Sequence, residues 1–194
     1  MNLLNVRILK DKEIEELYKE HFIKDFPPSE QKPLSMILNL KNQGKYICFG
    51  LFENHILKGY AILGLAPERR NLLLDYFAIL SPYRSGGYGG RFLQLLKGAL
   101  NEYEGLILEV ENVDHAANPE EELERTRRLA FYYANGLEHT NIETSVKKVV
   151  FTIIYFPFRD KWQEQELVED INAIYPELYG ASYEESFDYI RILK

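Results

Sequence analysis

Residues 84–90 read RSGGYGG, four glycines within five positions. They lie between NLLLDYFAIL (71–80), an apolar run that reads as a strand, and RFLQLLKGAL (91–100), which reads as a helix. Glycine is costly to order, so the cluster calls for a physical reason. A strand that passes through small residues into a helix aims the helix's unpaired N–H groups, and the positive end of its dipole, at whatever lies over the loop. The chemistry on offer is anion binding. Without a Cβ the main chain lets phosphate oxygens come close, and glycine tolerates the positive φ that a nest of N–H groups requires. Arg84, Arg91 and Lys97 add positive charge around it. The alternative is a structural loop that holds nothing. Two other phosphate motifs fail on detail: no Lys followed by Ser or Thr comes after the glycines, and Phe92 stands where the third glycine of GxGxxG belongs. The apolar flanks speak against a disordered RGG-type RNA segment. What remains has the form RxxGxG.

A second group lies in NPEEELERTRRLAFYYANGLE (118–138), where Asn118 caps a helix, Pro119 takes its first position, glutamates fill its first turn and Gly136 closes it. Arg125, Arg128 and Tyr132, spaced by three and four, share one face. Leu123, Ala130, Tyr133 and Ala134 recur on a neighbouring face and are expected to meet the core. Asp75, inside an apolar strand, must find a partner, solvent or a function. Glu109 and Glu111 share one face of the strand GLILEVE (105–111), and an ion pair or strand-end carboxylate is as good a reading as a catalytic one for all three.

These residues need elements to position them. NVRILK (5–10) alternates like a strand, and DKEIEELYKEHFIKDF (11–26) begins with an N-cap aspartate before Ile14, Leu17 and Phe22 at helical spacing. PPSEQKP is a break, and SMILNLKNQG a short helix closed by Gly44. KYICFGLFEN and ILKGYAILGLAPE form a hairpin around Asn54 and His55, and KKVVFTIIYF (147–156) is a further strand. The remainder holds a helical stretch near 161–175, stopped by Pro176, and a last strand at DYIRIL. The order β, α, α, β, β, β, α, β, α, β describes a mixed sheet with helices packed on it.

The chain has 194 residues, 46% of them hydrophobic, enough for one core. One domain, 1–194, is expected, with 158–194 as a C-terminal helix and strand extension of open role. The start of the chain carries no basic segment leading into a greasy stretch, and no run approaches a membrane span. Cys48 is the only cysteine and His21, His55, His115 and His139 lie far apart, so a disulfide or cysteine-rich zinc site is not expected and a reducing cytoplasm fits. The net charge of −7 argues against nucleic acid as the main partner and tilts toward a cationic substrate, against the plain alternative of a solvated acidic surface.

Arg84, Gly87 and Gly89 match the R/QxxGxG/A signature of the GNAT N-acetyltransferases, and FAILSPYRSGGYG resembles that family's usual passage from strand to loop. The element order is similar to theirs up to about residue 157. The resemblance implies an α/β (α+β) acyl-CoA N-acyltransferase fold, its mixed and largely antiparallel sheet splayed at the cofactor site with helices on both faces. It implies that the backbone of Arg84, Ser85, Gly86, Gly87, Tyr88, Gly89 and Gly90 holds the diphosphate of acetyl-CoA, and that Ala78, Ile79 and Leu80 pair with the pantetheine arm. FYYANGL is similar to the FYEKxGF stretch of the equivalent helix and puts Tyr132 where the family carries its general-acid tyrosine. The chemistry agrees, since a tyrosine at about 10 stays protonated until a thiolate of basicity near about 8.5 forms beside it.

Where many members carry an asparagine seven residues earlier, this chain has Arg125. Arg125, Arg127 and Arg128 either grip a phosphate of coenzyme A or pair with neighbouring glutamates. The base that frees the amine is sought among Asp75, Glu109 and Glu111, with Glu30 as a further acceptor-side residue. The implied activity is acetyl transfer to a primary amine of a small molecule or peptide, with no metal, nucleic acid or membrane, and compatible with a homodimer. The alternatives are a non-catalytic acyl-CoA sensor that contacts a partner, and a nucleotide-binding module.

Overall fold

The computed structural model describes residues 4–193. Its elements are β1 (Leu4–Ile8), α1 (Asp11–Leu17), a π-helical turn (Tyr18–Phe22), α2 (Ile23–Asp25), α3 (Leu34–Asn42), β2 (Tyr46–Glu53), β3 (Ile56–Gly64) and β4 (Asn71–Ile79). Then follow α4 (Tyr88–Ala99), β5 (Gly105–Glu111), α5 (Pro119–Ala134), β6 (Glu138–Val146), β7 (Val149–Pro157), α6 (Glu164–Tyr179), α7 (Tyr183–Ser186) and β8 (Phe187–Ile192). This is the mixed α/β architecture expected from the sequence, with eight mostly antiparallel strands. Two compact units share β4: one holds the residues up to Gly64 with Asp75–Leu100, the other Leu65–Leu74 with Asn101 onward.

The first unit orders its strands β1-β2-β3-β4. The β2–β3 hairpin closes through Asn54 and His55 at φ 50° and 67°, the two positive values that a type I′ turn needs. Helix α4 packs on β1 and β3 through Phe92, Leu93 and Leu96, all buried. Phe77 meets Phe92, with ring centres 5.2 Å apart. Its neighbour Tyr76 points the other way along the strand and meets Phe22 and Phe26 at 4.7 and 4.9 Å. Helices therefore cover both faces. Cys48 is wholly buried in β2, and burial pushes its thiol up to about 12, so it is chemically quiet.

The second unit orders its strands β4-β5-β7-β6-β8. Asn71–Leu73 pair in parallel with Gly105–Ile107, and the other pairings are antiparallel. Helix α6 packs on β6 and β8 and buries Leu167, Ile171, Ile174, Tyr175 and Leu178. A polar chain runs through this core: Asp170 accepts from Asn71 Nδ2 at 2.7 Å and from Arg69 at 3.3 Å, and Asn71 Oδ1 accepts from Tyr155 at 2.6 Å. Burial pushes the Asp170 carboxyl up, opposed by these partners.

Several expectations need correction. Strand β6 (EHTNIETSV) escapes sequence reading because four of its six buried residues are polar, Ile142 and Val146 being the apolar ones. Thr140, Glu143, Thr144 and Ser145 are satisfied by side-chain hydrogen bonds rather than by apolar packing. The following strand starts at Val149, since Lys147 and Lys148 form the turn at φ 50° and 66°. Their N–H groups bond to the Ser186 carbonyl at 2.6 Å and to Asp188 at 2.7 Å, which holds a conformation that neither residue type favours. Pro176 does not stop α6, which runs to Tyr179 because the burial of Tyr175 and Leu178 outweighs one missing N–H. Asp11 is the first residue of α1 and Lys10 the cap; the Lys10 N–H donates to Glu13 at 2.9 Å.

A Cβ built on Gly105 would sit 2.2 Å from the Tyr155 hydroxyl and 2.6 Å from the Phe156 carbonyl oxygen. Gly105→Ala is expected to destabilise the protein by about 1–3 kcal/mol, read as a lower midpoint in urea. An unchanged midpoint would contradict the packing described for Asn71, Gly105 and Tyr155.

Candidate active site

In the first unit β4 ends with the Leu80 N–H donating to the Lys58 carbonyl at 2.8 Å. The Ile79 carbonyl instead accepts Arg84 Nε at 3.0 Å, so the backbone of Ile79 is turned away from β3 while its neighbour Leu80 faces it. The chain then turns through Ser81–Tyr83 and reaches Ser85 at φ 62° and Gly87 at φ 72°. A Cβ on Gly87 would meet nothing within 4 Å, so the left-handed conformation, not crowding, requires glycine there. Helix α4 opens at Tyr88, which places Gly89 and Gly90 in its first turn and leaves Arg84 to Gly87 as the loop proper. No side chain caps this end, so the N–H groups of the first turn have no partner in the helix.

Two carboxylates that sequence reasoning missed brace the loop. Asp25 accepts Arg84 Nη2 at 2.8 Å and the Tyr60 hydroxyl at 3.0 Å, and burial with Asp25 alongside pushes the Tyr60 hydroxyl up. Glu53 accepts the Tyr88 hydroxyl at 2.8 Å and lies 3.7 Å from the Lys58 ammonium, which sits 3.7 Å above the Tyr83 ring. Lys58 was open to discovery by the argument used for Asp75, a charge inside the apolar run ILKGYAIL. Nothing in the local sequence marks Asp25.

Asp75 lies in a buried ion pair with Lys32, whose Nζ is 2.8 and 3.1 Å from the two carboxylate oxygens, and the Tyr46 hydroxyl also donates to it. Glu30 contributes its carbonyl, which accepts the Tyr76 hydroxyl at 2.6 Å; the Lys32 N–H in turn donates to the Tyr76 oxygen at 3.1 Å. These bonds pin the segment between α2 and α3 to β4.

In the second unit α5 starts as the sequence implies, with Asn118 Oδ1 accepting the Glu120 and Glu121 N–H groups. It ends in a Schellman motif: Gly136 at φ 90°, the Gly136 N–H on the Tyr133 carbonyl, and the Leu137 N–H on the Tyr132 carbonyl. The expected core face is corrected here. Leu123 and Tyr133 are 49% and 39% exposed, as are Ala130 and Ala134 in kind, and no residue of α5 is fully buried. The half-buried stripe is Glu121, Arg125, Leu129 and Tyr132, in which the stem of an arginine takes the place of an apolar side chain.

Arg125 donates to the Asn112 carbonyl at 2.8 Å, to Glu111 at 3.1 Å and to Glu121 at 3.4 Å, and Arg128 lies 3.6 Å from Glu111. Pairing with neighbouring glutamates is thus what the two arginines do here. Glu109 accepts from Thr144 at 3.2 Å and from the Tyr175 hydroxyl, and burial followed by Glu109 pushes Tyr175 well up. Tyr132 packs against Phe131, and its hydroxyl makes no hydrogen bond among the described residues. Burial pushes that hydroxyl up to about 12, with the Arg128 charge pulling it back.

No protein-family model and no curated protein matches the sequence. Solved structures do match. A protein from Bacteroides thetaiotaomicron described as a GNAT-family acetyltransferase has a TM-score of 0.70 and 17% identity over 92% of this chain and 98% of its own. The chain has the GNAT acyltransferase fold. The ribosomal-protein-S18-alanine N-acetyltransferase of Escherichia coli shares that fold at TM-score 0.58 and 19% identity, over 84% of this chain and 98% of its own. So does a Salmonella typhimurium protein described as an acetyltransferase and solved with acetyl-CoA, at TM-score 0.57 and 10% identity over 83% and 97% of the two chains. At these identities the likeness concerns the GNAT fold itself. No helix among the described residues is long and apolar enough to cross a membrane.

Asp25→Ala leaves the buried Tyr60 hydroxyl without its acceptor. It is expected to cost about 1–3 kcal/mol of folding stability in chemical denaturation. Stability equal to the wild type would mean that Asp25 does not brace the loop.

Proposed function

We propose that this protein is an N-acetyltransferase that moves the acetyl group of acetyl-CoA directly to a primary amine of a small molecule or peptide. The single observation that carries the reading is the left-handed turn at Gly87, which opens α4 with uncapped N–H groups inside an RxxGxG sequence on a GNAT fold. Free N–H groups at a helix start are suited to a diphosphate. The backbone of Ala78, Ile79 and Leu80 receives the pantetheine arm as an added strand would, and an N–H near Ile79 polarises the thioester carbonyl.

The acceptor nitrogen loses a proton to a carboxylate or an ordered water, with Asp75, Glu109 and Glu111 as the carboxylates to examine. It then attacks the carbonyl carbon, and the carbon–sulfur bond breaks. Tyr132 gives its hydroxyl proton to the departing sulfur and regains one from solvent. A hydroxyl with no competing hydrogen bond among the described residues and an acidity suppressed by burial is suited to this step, because it stays loaded until a strong base forms beside it. Arg125 and Arg128, already engaged by Glu111, hold α5 in place rather than grip a phosphate.

Thermal-shift comparison of coenzyme A with ATP and GTP, followed by thiol release with a panel of polyamines, aminoglycosides, amino acids and peptide N-termini, tests the reading. Binding of coenzyme A with no thiol release from any amine would favour the acyl-CoA sensor instead. Tyr132→Phe should keep acetyl-CoA affinity close to that of the wild type and slow turnover by about 10- to 10⁴-fold. Since the folded-state value is raised, the tyrosine remains protonated as pH increases, and kcat at saturating substrates should show no alkaline decline below about pH 10. A decline that disappears in Tyr132→Phe would contradict the buried acid.

A further inference from the structure

The cations around the glycine loop are not equivalent. Arg84 is paired with Asp25 and Lys58 with Glu53, so neither adds net charge to the loop. Arg91 differs: no carboxylate pairs with it among the described residues. Its guanidinium stacks 4.5 Å from the centre of the Tyr88 ring, and Nη2 and Nε donate to the carbonyl oxygens of Gly86 and Gly87 at 3.3 and 3.5 Å. Two of its five N–H groups are thereby used, and three are left over. The bonds it makes also cover the two carbonyl oxygens of the loop that would otherwise repel an approaching anion.

From this charge balance we infer that Arg91 is the side chain that takes the cofactor diphosphate, while Arg84, the arginine of the RxxGxG signature, serves as a neutral brace. The inference rests on the proposed function and narrows it. The loop's main-chain N–H groups set the position of the diphosphate, and Arg91, with no carboxylate partner among the described residues, supplies positive charge beside them. Arginine suits the task because its planar fork bonds two oxygens at once and its stacking on Tyr88 holds it in place before the ligand arrives.

The experiment compares wild type, Arg91→Gln, Arg91→Lys and the charge-balanced double variant Asp25→Asn/Arg84→Gln by calorimetric binding of coenzyme A, dephospho-coenzyme A and pantetheine. The first ligand carries a diphosphate and a 3′-phosphate, the second a diphosphate only, the third no phosphate. Arg91→Gln should weaken coenzyme A and dephospho-coenzyme A alike by about 10- to 100-fold, with pantetheine unchanged and Arg91→Lys intermediate. Added salt should cost the wild type more affinity than Arg91→Gln, because the variant has lost a screened charge contact. The double variant Asp25→Asn/Arg84→Gln, which removes both charges of the brace together, should lower the melting temperature and leave the salt dependence of coenzyme A binding as in the wild type.

Four results would overturn the inference: coenzyme A affinity in Arg91→Gln within about twofold of wild type, an equal loss for pantetheine, a loss for coenzyme A but not its dephospho form, or a flattened salt dependence in the Asp25→Asn/Arg84→Gln double variant. Failure of the wild type itself to bind any of the three ligands would instead remove the acyltransferase reading, and this inference with it.

Discussion

The structure depends on a left-handed turn at one residue. Gly87 stands at φ 72° immediately before α4, and this conformation lets the chain leave β4 and start a helix whose first N–H groups point outward unpaired. A residue with a Cβ would adopt that angle only under strain, and a capping side chain would fill the acceptor position that an anion needs. The turn is not held by glycine alone. Half-buried carboxylates at Asp25 and Glu53 hold its flanks through Arg84, Tyr88 and Lys58, joining the loop to α2 and to the β2–β3 hairpin. Each brace is a neutral pair. The loop is thereby stiffened without being flooded with charge, and under the proposed function the helix dipole and Arg91 keep their pull on a diphosphate.

Under the proposed function the second unit answers a different demand, that of placing a tyrosine. Tyr132 sits one turn from the end of α5, and the Schellman closure at Gly136 and Leu137 fixes where that end falls. The helix is fastened at its other half by Arg125, which reaches the end of β5 at Asn112 and Glu111. An ionic fastening of this kind leaves the opposite face of α5, with Leu123 and Tyr133, at the surface.

Residues 158–193 belong to this unit's sheet and core rather than trailing from them. Helix α6 delivers Asp170 to Asn71 and Arg69, and Tyr175 to Glu109, while β8 lies beside β6. Buried carboxylates are costly unless paired, and Glu143 shows how the cost is met: Arg191 and Tyr189 of β8 both donate to it. The polar strand β6 is stable because a later segment supplies its partners.

By itself the sequence determined the features whose signals are local. The β4–loop–α4 passage, the Asn54–His55 hairpin and the Asn118 cap each follow from a glycine, a turn dipeptide or a capping side chain acting within a few residues of itself. Tertiary structure alone decided what depends on distant partners. The face that α5 turns inward is built on an arginine stem. Strand β6 is mostly polar, its side chains satisfied by partners on β5, β7, β8 and α6. The Lys147–Lys148 turn is held by Ser186 and Asp188, and the difference between Arg84 and Arg91 is a carboxylate at position 25. Hydrophobic period and turn chemistry are written along the chain, whereas the pairing of a buried charge is settled only when segments far apart in sequence meet.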